Sequence, residues 1–178
     1  MSDFQLRLAL PHEADAVGTL TVAGYDADAY LTLADGSYDQ QYADWLADGA
    51  TRSRDGVLMV AVDDDILLGT VTWCPPGSPF RELSTRDDQG EIRTLSVAPE
   101  ARGRGVGSAL VDWCIDEARA TGLAEILLST LPEMTPAHRL YESRGFVRRP
   151  ELDWSPFPDV LLWGFSLALA GDAGRVTS

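Results

Sequence analysis

With 178 residues and 19.3 kDa, 45% of them hydrophobic, the chain is long enough to fold around one core of its own. Its 28 acidic residues outnumber 14 basic ones, all arginine, and the net charge of −14 speaks against a nucleic-acid partner, which needs a basic face. Two cysteines, Cys74 and Cys114, are too few for a disulfide framework and lack metal spacing, and no apolar run reaches bilayer length, so a cytoplasmic protein with no membrane partner is expected.

The pattern then alternates strand and helix. Phe4 to Leu10 alternates apolar and polar positions as a short strand and has no signal-peptide character. Pro11 opens a helix to about Ala23, with Glu13 and Asp15 near its positive end. A second helix is predicted over Tyr38 to Gly49, after the Asp35-Gly36 turn. Val57 to Val62 and Ile66 to Trp73 read as a hairpin around Asp63-Asp64-Asp65, and a Pro/Gly-rich loop follows to about Gln89. Then come a strand from Glu91 to Val97, a helix from Val106 to Ala120 with Cys114 on its core side, and a strand from Ala124 to Ser129. A helix from Thr135 to Arg144 is closed by Gly145, and Phe146 to Arg148 and Val160 to Leu169 are the last strands. Residues 1–170 therefore read as one domain and 171–178 as a disordered tail.

The most telling segment lies between the strand ending at Val97 and the helix starting at Val106. It carries Arg102, Gly103, Arg104, Gly105 and Gly107. Glycines allow a ligand close to the backbone, the free N–H groups of a first helical turn attract anions, and arginines add forked contacts to phosphate oxygens. A phosphorylated cofactor is the expected occupant. The nucleoside-triphosphate loop is excluded because the chain has no lysine, and the dinucleotide fingerprint fails because Ser108 stands where its last glycine belongs.

Arg102-x-x-Gly105-x-Gly107, after a strand ending Leu95-Ser96-Val97-Ala98-Pro99, resembles the acetyl-CoA signature of the GNAT N-acetyltransferase superfamily. About 30 residues on, Ala137-His138-Arg139-Leu140-Tyr141-Glu142-Ser143-Arg144-Gly145-Phe146 is similar to the helix that packs beside the thiol end of the cofactor in that family. The resemblance covers residues 57 to 150. It implies an α/β (α+β) fold with a central mixed, mostly antiparallel sheet of six to seven strands flanked by about four helices. It also implies transfer of an acetyl group from acetyl-CoA, as co-substrate and without a metal, to a primary amine of a small molecule or peptide by direct attack in a ternary complex. A non-catalytic acyl-CoA sensor of the same fold is the alternative.

By that resemblance, Tyr141 is the acid that protonates the departing thiolate, and Glu91 is aligned with the base found in histone-modifying members. A base is useful because an alkyl amine with a pKa near 10.4 is neutral only about once in a few thousand at pH 7. Backbone groups of Leu95, Ser96 and Val97 are expected to polarise the acetyl carbonyl, and residues 102–108, including Val106 and Ser108, to hold the pyrophosphate. Many members carry an asparagine seven residues before the tyrosine; Met134 occupies that position here, so Ser129, Thr130 or Thr135 is expected to replace the contact. For the acceptor, Tyr25, Tyr30 and Trp73 are candidates, with Tyr42, Glu82, Trp154 and Asp159 in the same regions, since aromatics and acids suit a cationic amine. His138 is expected on the surface, Trp163 in the core or at a dimer contact, and a homodimer through the late strands is compatible with the pattern.

Overall fold

The computed structural model describes residues 3–170; the predicted tail lies outside the described residues. These residues form eight strands: β1 (Gln5–Leu8), β2 (Val57–Asp63), β3 (Ile66–Cys74), β4 (Gln89–Val97), β5 (Glu125–Thr130), β6 (Val147–Arg148), β7 (Trp154–Phe157) and β8 (Val160–Ala168). They pair in the order β1-β2-β3-β4-β5-β8-β6, with β7 forming a hairpin on β8. Among the described residues, only β4 and β5 pair in parallel. Among the described residues five α-helices flank the sheet: α1 (Ala14–Asp26), α2 (Gln40–Ala47), α3 (Gly49–Asp55), α4 (Val106–Ala120) and α5 (Thr135–Ser143).

Alternation along β2 serves two layers. Met59 and Ala61 join the main core with Leu110, Cys114 and Ala118 of α4, while Leu58, Val60 and Val62 pack on Val17 of α1. No helix among the described residues is long and apolar enough to cross a membrane.

Two departures from the sequence expectation have clear causes. The helix predicted over Tyr38–Gly49 is α2, and a second helix, α3, follows it at once, because Asp48 leaves helical geometry and its carboxylate caps the next helix at Thr51 N, 2.9 Å away. The added helix α3 turns inward at Arg52, which is fully buried. Strand β7 was not expected, since it has four residues and contains Pro156; it is tolerated as an edge paired to β8 alone.

One irregularity shapes the site. Thr70 and Thr72 of β3 face Ser96 and Arg93 of β4, so Thr94 and Leu95 together oppose Val71. Thr94 takes φ 55°, a conformation rare outside glycine, and makes a β-bulge. Beyond it β4 swings away: its pairing with β5 ends at Ile92 and Leu128, although β5 continues along β8 to Thr130. A gap opens between two strands that began side by side.

Candidate active site

Two cavities follow this gap. The first, about 370 Å³, runs from Arg102 and Gly107 past Leu95, Ser96 and Val97 to Met134, Ala137 and Leu140, with Gly24, Tyr25, Asp28 and Tyr30 on its other wall. The second, about 260 Å³, is lined by Ile92, Arg93 and Thr94 of β4, Ser129 and Thr130 of β5, Tyr42 and Trp45 of α2, and Trp154, Pro156 and Phe157 of β7. Tyr25 and Met134 line both.

The foot of the first cavity is the glycine-rich loop. Gly103 and Gly105 take φ 77° and 81°, and Gly105 is the residue that precedes α4 with no side-chain cap. The first-turn N–H groups of α4 thus lack a protein side-chain partner and match what a pyrophosphate requires. Val106 is core through its side chain and contributes only main chain; Ser108 is half-buried in the same turn. Arg102 lines the cavity and forks onto Asp28 at 2.9 and 2.8 Å, also donating to Gly24 O at 3.1 Å. Arg104 does not line it: its guanidinium pairs with Asp63, the last residue of β2, at 2.8 Å.

Several expected residues fall elsewhere. Glu91 is fully buried and lines neither cavity. Its Oε2 accepts the N–H groups of Glu82, Leu83 and Ser84 at 3.0, 2.9 and 3.1 Å, so it pins the loop before β4 rather than facing an amine. Trp73 is 2% exposed in the main core and is closed to an acceptor. Tyr30 lies on the cofactor-side cavity only, Thr130 on the other one, and Thr135 is exposed outside both. Asp159 also lies outside both, whereas Glu82, Trp154 and Tyr42 do line the second cavity. Tyr141 is buried beside Phe146 and lines neither cavity; Leu140, one position before it, lines the first. Burial, then Tyr25 and Cys114, hold its phenol well above the ordinary value. It is neutral at pH 7, but a weaker acid than the sequence suggests. His138 is buried, hydrogen-bonded to Thr130 Oγ1 at 2.6 Å and stacked on Trp163, because the late strand supplies an aromatic lid the helix pattern cannot reveal.

A profile described as the acetyltransferase (GNAT) family matches residues 22–146. The chain belongs to this family. Mycothiol acetyltransferase of Geodermatophilus obscurus is 36% identical over 99 residues, 53% of this chain and 30% of that protein. An uncharacterized N-acetyltransferase of Schizosaccharomyces pombe is 33% identical over 106 residues, 60% of this chain and 61% of its own. The chain thus spans less than two thirds of either relative. Among solved structures, a GNAT acetyltransferase of Staphylococcus aureus Mu50 superposes with a TM-score of 0.69 at 13% identity, covering 94% of this chain and 99% of that one. The Salmonella typhimurium protein yncA, solved with its cofactor acetyl-CoA, gives 0.64 at 18% identity, covering 98% and 99%. At these identities the likeness is one of GNAT fold. The matched residues 22–146 hold the bulge, the loop and both expected motifs, but they exclude β7, so part of the second cavity's wall lies outside the family match.

Proposed function

We propose that the chain is an acetyl-CoA-dependent N-acetyltransferase acting on a primary amine of a small molecule or peptide, by direct attack in a ternary complex. The observation that carries this reading is the meeting of two cavities at Tyr25 and Met134, one ending at an uncapped helix N-terminus and the other walled by aromatics. When bound, acetyl-CoA supplies an acetyl group activated as a thioester. The N–H groups of α4 and Arg102 would hold its pyrophosphate, and Leu95–Val97 would run alongside the pantetheine arm with one backbone edge unpaired after Ile92. In this reading Tyr141 gives the departing sulfur its proton.

The acceptor would lie in the second cavity. Tyr42, Trp45, Trp154 and Phe157 offer apolar faces, and Glu82 draws the ammonium form inward. Arg93 is half-buried over Trp45 and Phe80, 5.2 and 4.5 Å from the ring centres, and its Nη1 approaches Glu82 Oε1 at 3.4 Å. Calorimetry with acetyl-CoA, followed by thiol release against a panel of amines, tests the proposal. Binding with release for one amine class supports transfer. Binding without release across that panel favours the sensor alternative, and absence of binding removes both.

A further inference from the structure

Resting on the transferase reading above, we infer that Tyr25 is a catalytic residue whose hydroxyl donates a hydrogen bond to the acetyl oxygen where the two cavities meet.

Position comes first. Of the residues lining both cavities, Tyr25 carries a polar group and Met134 does not. Helix α1 is held unusually close to β4 just before it. A Cβ on Gly24 would stand 2.1 Å from Ser96 Oγ and 3.0 Å from Val97 O, while Ser96 Oγ donates to Thr21 O at 3.3 Å and Arg102 to Gly24 O at 3.1 Å. Tyr25 therefore stands at the gap left by the bulge, beside the unpaired edge of β4. Edge-on contacts with Tyr30 and Tyr42, with ring centres 6.3 and 6.0 Å apart, fix its ring.

The surroundings keep its O–H neutral and available as a donor. Tyr42 stands edge-on to Tyr25, ring centres 6.0 Å apart, and acts to lower the pKa of the Tyr25 phenol. Arg52, fully buried, spends its hydrogen bonds on neutral oxygens, Thr21 Oγ1 at 3.3 and 3.2 Å and Leu46 O at 2.7 Å. Its charge thus acts on Tyr25, and it too favours negative charge on the phenol oxygen. Burial still outweighs both effects and keeps Tyr25 protonated, so the hydrogen stays available.

The step it serves balances without it losing a proton. The neutral acceptor nitrogen bonds to the acetyl carbon as the carbonyl π pair moves onto oxygen, where Tyr25 meets the developing charge. When that pair returns, the C–S pair leaves with sulfur. The proton shed by nitrogen equals the one the thiol finally carries, and Tyr25 keeps its own.

The test is the infrared carbonyl band of [1-13C]acetyl-CoA bound to the protein without acceptor. The wild type is expected to hold the band below its solution frequency. Tyr25→Phe should return it toward that value with acetyl-CoA affinity lowered by less than about tenfold and turnover down about 10²-fold, the usual loss for one such donor. Tyr42→Phe, which leaves the donor in place but removes the neighbouring hydroxyl that acts on it, should move the band part of the way, and it carries the test if Tyr25→Phe does not fold. Tyr141→Phe should leave the band where it is. A wild-type band in Tyr25→Phe overturns the assignment even if turnover falls. A wild type that binds no acetyl-CoA overturns the transferase reading, and this one with it.

Discussion

A carboxylate that receives three backbone N–H groups cannot turn toward a substrate without stripping all three. Glu91 is in that position, and Glu91 Oε1 lies buried with no hydrogen-bond partner, 3.9 Å from Arg93 Nε. Removing one partner from a buried charged network costs about 3–5 kcal/mol, and a chain of this size loses roughly 2–4 °C per kcal/mol. Glu91→Ala should therefore lower the melting temperature by roughly 10 °C, read by calorimetry, while Glu91→Gln should leave the pH–rate profile as it was. A shifted acid limb in Glu91→Gln would restore the carboxylate as a base. Arg102 poses the opposite case. Asp28 occupies the guanidinium fork that a pyrophosphate would use. A charge-assisted contact is worth about 1.5–3 kcal/mol, or roughly ten- to a hundredfold in affinity. Arg102→Glu should weaken acetyl-CoA binding by that order and Asp28→Asn should tighten it. Equal affinity in all three proteins would place the pyrophosphate elsewhere.

At the scale of elements, the placement of α1 on β4 decides whether the two cavities meet. Gly24→Ala raises intrinsic helix propensity by about 1 kcal/mol, yet its new methyl group collides with Ser96 and with the Val97 carbonyl. Backbone does not yield as a flexible side chain does, and overpacking typically costs 1–3 kcal/mol. The variant should melt a few degrees lower and bind acetyl-CoA more weakly; a higher melting temperature with intact binding would show that α1 is free to shift. The same element shows what the sequence made legible. Helices α4 and α5 bury one face each and strands β2 to β5 are short, mostly buried runs rich in apolar residues, so both were readable, and the loop over 102–108 is local chemistry. Helix α3 was not readable because its inward residue is Arg52, an apparent surface residue satisfied by Thr21 and Leu46. Likewise, the role of Glu91 depends on residues 82–84 folding back over β4, and the burial of His138 on Trp163, 25 residues later. Tyr42 and Trp154 reach one cavity only through tertiary approach. Contacts between distant segments leave no local pattern to read.

For the whole molecule, 28 acidic residues against 14 arginines make pH the main lever on stability. Many of those acids are tied down. Arg7 grips Glu13 at 2.7 and 2.8 Å and, as the largest cause, holds its carboxyl down to about 2. Arg148 lowers Asp153, and the Thr51 N–H lowers Asp48. A folded-state pKa below the unfolded value binds fewer protons in the native state. The stabilisation is complete above the unfolded value, near 4.3 for glutamate, and is lost as pH falls through the folded one. Between pH 7 and 5 these pairs change nothing, and the surplus negative charge only begins to be relieved. The melting temperature should therefore hold from pH 7 to about 5 and fall steeply from about 4.5 to 2. Glu13→Gln should melt lower at pH 7 and converge on the wild type near pH 2, where Glu13 loses its charge. Parallel curves across the whole range would mean that Glu13 carries no pH-linked stability and that the Arg7 pair is an ordinary surface contact.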